Sequence, residues 1–339
     1  FIPESVKYIG LCAFQDCLDL EEAVYLSNSG KYSTSSTAYA NNLFDGCTSL
    51  QHVVLNDALT AIGSNAFRNC TSLTTVDLYD STTKTTTENE EGVAVLPSSL
   101  SYLDYGAFTN TAIREVTITR TLTFLSSKVK SNTSSSSVFA DCAKLEKVIL
   151  HDALQSIGEE TFMNCTSLKT IQYAQPDGTI AGKEGEVTLP NSLTLLGDYA
   201  FSGSAVEKAV IPESLTKVGK SLFQDCTSLK EVQYLTSSCK YGTGSSNYST
   251  NVFAGCTALE KVVLSDGITY LPDRFFSGCS ALKTVQVYNS TDKTVSGNEN
   301  EVLLPDAITH IGISCFNGCS SVTSITLPSS LTSGGSDAF

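Results

Sequence analysis

No tryptophan occurs among the 339 residues, methionine occurs once, and only 17% of positions carry a charge. Histidine is equally scarce, with three copies at 52, 151 and 310, so a histidine-based zinc centre has few ligands to draw on. Basic residues are few: 21 Lys and Arg face 35 Asp and Glu, giving a net charge of -14 and a pI near 4.6. Such a chain has no basic stripe with which to displace counterions, which argues against nucleic acid and anionic membrane surfaces as partners. No apolar run approaches the roughly 18 residues of a membrane-spanning helix. Nucleophile elbows, phosphate-cradling glycine loops and the H-E-x-x-H metalloprotease pattern are all missing. No cofactor and no metal are therefore expected.

What the sequence does contain is one stretch written repeatedly. Leu50 to Leu73 reads LQHVVLNDALTAIGSNAFRNCTSL. Leu50, Val53 and Leu55 carry a short strand with one buried face. Asn56 and Asp57 turn the chain, Leu59 and Ile62 form a second apolar pair, and Gly63 permits another turn. Ser64 to Cys70 is too short for an independent helix, but Ala66, Phe67 and Cys70 share a helical or 3₁₀ face. No piece buries its apolar side alone, so the unit makes sense only when stacked on copies of itself.

Phenylalanine marks the phase, at 14, 44, 67, 108, 139, 162, 201, 223, 253, 276, 316 and 339. The basic period is 22 or 23 residues, and longer gaps are the same unit with an insertion after its first strand. Insertions rich in Ser, Thr and Tyr fall at 27–41, 126–137 and 235–250; more acidic, hairpin-like ones fall at 80–92, 174–186 and 289–301. Gaps of 30, 23 and 41 follow Phe14 and gaps of 30, 23 and 40 follow Phe223, which points to duplication of a four-repeat block. A single repeat domain of about eleven to twelve coils over 1–339 is expected. It starts in the back half of one repeat and stops partway into another, so both ends are expected to be cut from something longer.

The pattern L-x-x-V-x-L-P-x-S-L-x-x-I-G-x-x-A-F-x-x-C-x-x-L, with its proline form at Ile211 to Gly219 and Leu327 to Leu331, resembles the BspA-like, or Treponema pallidum-type, leucine-rich repeats. That resemblance implies a leucine-rich repeat solenoid, a right-handed curved superhelix. It would carry a parallel concave β-sheet of short strands, with turns and 3₁₀ or helical segments on the convex side. At one strand per coil the sheet would run roughly 50 Å. The resemblance also implies an extracellular or cell-surface binding or adhesion protein without enzymatic activity. Its partner would be a protein or glycan, including host or extracellular-matrix proteins.

Side chains pointing outward from the strands are the candidate binding surface. Val54, Ile149, Val210 and Val263 are β-branched apolar residues there, flanked by His52 and His151, with Tyr79 and Tyr288 at matching positions and more tyrosines at 32, 39, 241 and 248. His52 and His151 are read as equivalent outward positions several coils apart, unable to share a metal. Nine of twelve cysteines lie three residues after a phased Phe, as expected of a ladder of buried thiols; Cys239, in an insertion, is the candidate exposed thiol. Two other classes compete: a carbohydrate-active β-helix enzyme working through strand-face carboxylates, and a passive spacer that extends another domain.

Overall fold

In the computed structural model, which describes residues 1–29, 31, 40–125, 137–239 and 250–339, the repeats stack into a solenoid. One sheet of seventeen strands runs its length. Fourteen strands are parallel, from Glu22–Tyr25 to Ile325–Thr326; the other three, Thr85–Thr87, Ile180–Ala181 and Val295–Ser296, are antiparallel hairpin arms. Because each coil carries the same text, strands meet in register. Glu22, His52 and Thr75 are neighbours, as are Ala23, Val53 and Val76 one position on. Val53, Val76, Val148, Val232 and Val262 are thus buried in one row beneath the sheet.

Behind the sheet the phased phenylalanines form a second ladder. Consecutive rings from Phe14 to Phe339 lie 5.1–5.9 Å apart between centroids, all stacked except the tilted Phe276–Phe316 step. Each step is worth about 0.5–1.5 kcal/mol beyond the apolar area it buries. Cysteine runs alongside. The thiols of Cys47, Cys70, Cys142, Cys165, Cys226, Cys256, Cys279 and Cys319 each donate to the carbonyl of the phased Phe one coil earlier, at 3.0–3.2 Å. Burial pushes Cys142 and Cys226 up to about 11. Among the described residues every cysteine is free, and Cys12 is the exposed one. Cys239 corrects the expectation: it is buried, and burial pushes its thiol up to about 12 against the opposing pull of its bond with Tyr234.

The segments around the phased Phe are turns, and among the described residues no helix forms. Two left-handed residues four apart flank each phased Phe from Phe14 to Phe316, as Asn65 (φ 55°) and Asn69 (φ 59°) flank Phe67, and Glu160 and Asn164 flank Phe162. Asn, Asp and Gly tolerate that region best, which explains the N-C-T text, and such residues interrupt an α-helical run. Backbone groups then bond from coil to coil instead: the N–H groups of Asn42, Phe44 and Gly46 donate to the carbonyls of Ser64, Ala66 and Arg68.

The three acidic insertions add strands that the repeat period hides. Val93–Val95, Val187–Thr188 and Val302–Leu303 each join the parallel sheet, although Phe67–Phe108, Phe162–Phe201 and Phe276–Phe316 are single steps of the ring ladder. At those steps the sheet advances by two strand spacings, about 9–10 Å, while the rings advance 5.2, 5.6 and 5.4 Å. Elsewhere a spacing of about 4.7–4.9 Å on the sheet is shorter than the ring spacing, which bends the array toward the sheet. The added strands oppose that bend and lengthen the sheet to about 62 Å.

Phe162 is fully buried between Phe139 and Phe201. Phe162→Ala is expected to cost about 3–5 kcal/mol and, because coils support each other pairwise, to split thermal unfolding into two transitions; a single transition like that of wild type would contradict the pairwise account.

Candidate binding face

The outward row of the sheet is Val24, Val54, Asp77, Val95, Thr117, Ile149, Gln172, Thr188, Val210, Gln233, Val263, Gln286, Leu303 and Thr326, one residue per parallel strand. Val95, Thr188 and Leu303 were missed because a period of one strand per Phe leaves no room for them. Their signal is in the text: V-A-V-L-P, V-T-L-P and V-L-L-P repeat the ending of ordinary strands such as Val210-Ile211-Pro212.

Each hairpin returns across this face. The Asp77 carboxylate accepts the Asn89 N–H at 2.8 Å, the Gln172 amide donates to the Gly182 carbonyl at 3.2 Å, and Gln286 donates to Gly297 at 3.0 Å. Gly182 (φ 100°) and Gly297 (φ 113°) take conformations that favour glycine, and a Cβ added to Gly182 would lie 2.9 Å from the Thr188 Cβ. A threonine hydroxyl then fixes the exit of each loop: Thr75, Thr170 and Thr284 accept from the N–H of Gly92, Gly185 and Asn300.

These returns divide the face into bays. The first, over the Glu22–Tyr25 and His52–Asn56 strands, holds an open pocket of about 770 Å³. Another of about 730 Å³ lies between the first two hairpins, lined by Arg114, Glu146, Lys147 and Glu184 among others. A third of about 570 Å³ spans Tyr173, Val210, Pro212 and Lys293.

Within this frame the candidate residues separate. Ile149 and Val210 are half-buried side chains on open stretches of the face, whereas Val54 and Val263 are each only 5% exposed. His52 lies on the face, with Nε2 2.8 Å from Asp77 and Nδ1 3.4 Å from Glu22. Tyr79 and Tyr288 reach off their strands. The Tyr79 hydroxyl donates to Glu4 and the Tyr288 hydroxyl to Glu213, each joined by a lysine from the same hairpin, Lys84 or Lys293. The partner glutamate is 75 residues before the tyrosine and 80 before the lysine in both blocks. Those ammonium groups hold Glu4 and Glu213 below the usual carboxylate range. Tyr32, Tyr39, Tyr241 and Tyr248 lie outside the described residues.

His151 corrects its expected place. It is equivalent to Asn56 rather than to His52, which pairs in the row of Lys147, and it is 2% exposed. Where other coils carry proline, such positions carry a side chain that bonds both ways. The Asn56 amide donates to the Leu26 carbonyl and its oxygen accepts from the Ala58 N–H; His151 donates from Nε2 to the Leu122 carbonyl and accepts at Nδ1 from the Ala153 N–H. Thr236, one position past the proline site of its own coil, makes a similar pair of bonds with Leu215 and Ser238. This is a turn device with no face toward a ligand.

The stacked strands and ring ladder define a leucine-rich repeat solenoid whose open surface is one sheet face. A family model for the BspA type leucine rich repeat region (6 copies) matches residues 1–89, 33–136, 132–184, 182–249 and 294–339, and the chain belongs to that family. It is similar to a leucine-rich repeat protein from Bacteroides ovatus, at 25% identity and a TM-score of 0.59 over 98% of this chain and 79% of that one. A T. pallidum leucine-rich repeat protein overlays more loosely, at 24% identity and a TM-score of 0.37 over 57% of this chain and 68% of that one. So does a leucine rich cell surface protein from Faecalibacterium prausnitzii, at 20% identity and a TM-score of 0.34 over 94% and 89%. Comparison with curated proteins gives no match.

Burial pushes the His151 imidazole below its ordinary 6.5, against the opposing pull of its bond to Leu122. With the folded value lowered, the unfolded chain binds the extra proton, so this group's contribution is full above the unfolded value of about 6.5 and falls as pH drops toward the folded one. Urea titrations from pH 7.5 to 5 are expected to show a smaller loss of stability in His151→Asn than in wild type; equal losses would contradict the assignment.

Proposed function

We propose that this chain is a non-enzymatic binding or adhesion protein, displayed on the cell surface or secreted, that receives a protein or glycan partner on the face of its sheet. The observation that carries this reading is the division of a long, open, β-branched face into walled bays of several hundred Å³. A flat sheet face offers a partner little shape, whereas a bay with an apolar floor and polar walls offers both contact area and orientation. Membership of the BspA-type family supports the same reading. So does the position of Asp77, on which a glycosidase reading would lean: it is 3% exposed and already bonded to His52 and Asn89. The acid-rich composition directs the partner class away from nucleic acid.

Ile149 and Val210 are both half-buried on the sheet face, and Val210 lines the third pocket. The double variant Ile149→Asp, Val210→Asp is expected to melt like wild type. On an array of immobilised host matrix proteins and glycans it is expected to lose at least about tenfold in affinity for whatever wild type captures. Undiminished capture by the folded double variant would remove the sheet face as the binding surface.

A further inference from the structure

The three hairpin returns are copies of one another, which makes a difference among them informative. Glu91, Glu184 and Glu299 hold the same place, each immediately before the residue whose N–H bonds the threonine hydroxyl. In the second copy the Lys147 ammonium lies 3.4 Å from Glu184, and in the third Lys261 lies 2.6 Å from Glu299. Register sets Lys147 beside Thr170 and Lys261 beside Thr284; the residue beside Thr75 is His52. The first copy therefore has an imidazole where the others have an ammonium.

That imidazole does not replace the lysine. Its two nitrogens are turned to Asp77 and Glu22, and Glu91 has no salt bridge among the described residues. Arg114, whose charge senses Glu91, is bonded to Glu146. Glu91 of the first copy lines the pocket of about 770 Å³ together with Glu22, His52, Asp77, Val24, Val54 and Phe1, and no lysine or arginine side chain is among the lining residues. Residues 1–92 carry twelve carboxylates and four basic side chains, so the surrounding field favours a cation too.

We propose that this first bay accepts the side chain of a lysine presented by a protein partner, its ammonium taking the position that Lys147 and Lys261 fill in the other copies. The proposal rests on the binding reading above and names the chemistry one bay selects. Val24 and Val54 suit the methylene stem while the carboxylates suit the head. A compact ammonium is favoured over a planar guanidinium because both internal copies use lysine, and the two groups are not interchangeable. Among the described residues no group of side chains is gathered to hold a metal ion, which sets a divalent cation aside as the occupant.

The test uses the whole 339-residue chain and a fluorescein-labelled peptide of alternating lysine and glycine, read by anisotropy, with the lysine-acetylated and the arginine versions as controls. His52→Lys supplies the missing ammonium from within. Asn317→Lys makes the same charge change at an exposed position on the turn side. His52→Lys is expected to weaken lysine-peptide binding about tenfold and Asn317→Lys by no more than about twofold. Glu91→Gln, whose melting is expected to match wild type, should weaken it as well, and the acetylated and arginine peptides should bind more weakly to wild type. Equal effects of His52→Lys and Asn317→Lys, or undiminished binding of the acetylated or arginine peptide, would overturn the proposal. If the lysine peptide fails while partner capture still depends on Ile149 and Val210, the pocket assignment falls and the binding reading stands.

Discussion

Burial by the neighbour is the constraint on which the molecule depends. No coil has enough apolar surface to hold itself closed, and Phe139, Phe162 and Phe201 are fully buried because the next coil covers each in turn. The thiol ladder and the left-handed turns follow from that requirement. A cysteine is small enough to fit beside the stacked rings, and its S–H adds a second donor to a Phe carbonyl that already accepts from its own turn, as at Phe108 and Phe139. Asn, Asp and Gly in the turns let the backbone face the adjacent coil and bond to it, so even the segments without strands are tied together along the array.

The hairpins turn that scaffold into a surface with compartments. Each enters as an antiparallel arm, crosses the face, is held by Asp77, Gln172 or Gln286, and returns as an extra parallel strand. Two geometric results come together. The sheet gains length that the ring ladder lacks, and the face is cut into bays whose walls are the chain itself. The first and third hairpins are further anchored upstream through Tyr79 and Lys84 on Glu4, and Tyr288 and Lys293 on Glu213. These are exposed pairs that fix position more than they add stability.

Much of this was legible in the repeat text because strict recurrence forces register. Phased Phe and Cys, the buried Val row and the outward row from Val24 to Thr326 follow from one coil being superimposable on the next. What was not legible lies where a coil departs from the period. Counting one strand per Phe concealed the returns at Val93–Val95, Val187–Thr188 and Val302–Leu303. Reading His151 as an outward residue overlooked that a turn position replacing proline can use both a donor and an acceptor, which imidazole and amide side chains provide. Cys239, although it falls in an insertion, is buried and hydrogen-bonded with Tyr234. The tyrosine anchors had a signal, the same offset from glutamate in two blocks, visible only when the long duplication is compared position by position.

The most direct measurement is amide hydrogen exchange across the three hairpin returns. If the sheet is continuous through its fourteen parallel strands, the amides of Ala94, Val187 and Val302 exchange as slowly as those of Val76, Ile171 and Val285 beside them. Exchange at the rate of open loop amides would show that the returns are loose insertions, and the division of the face into bays would have no structural basis.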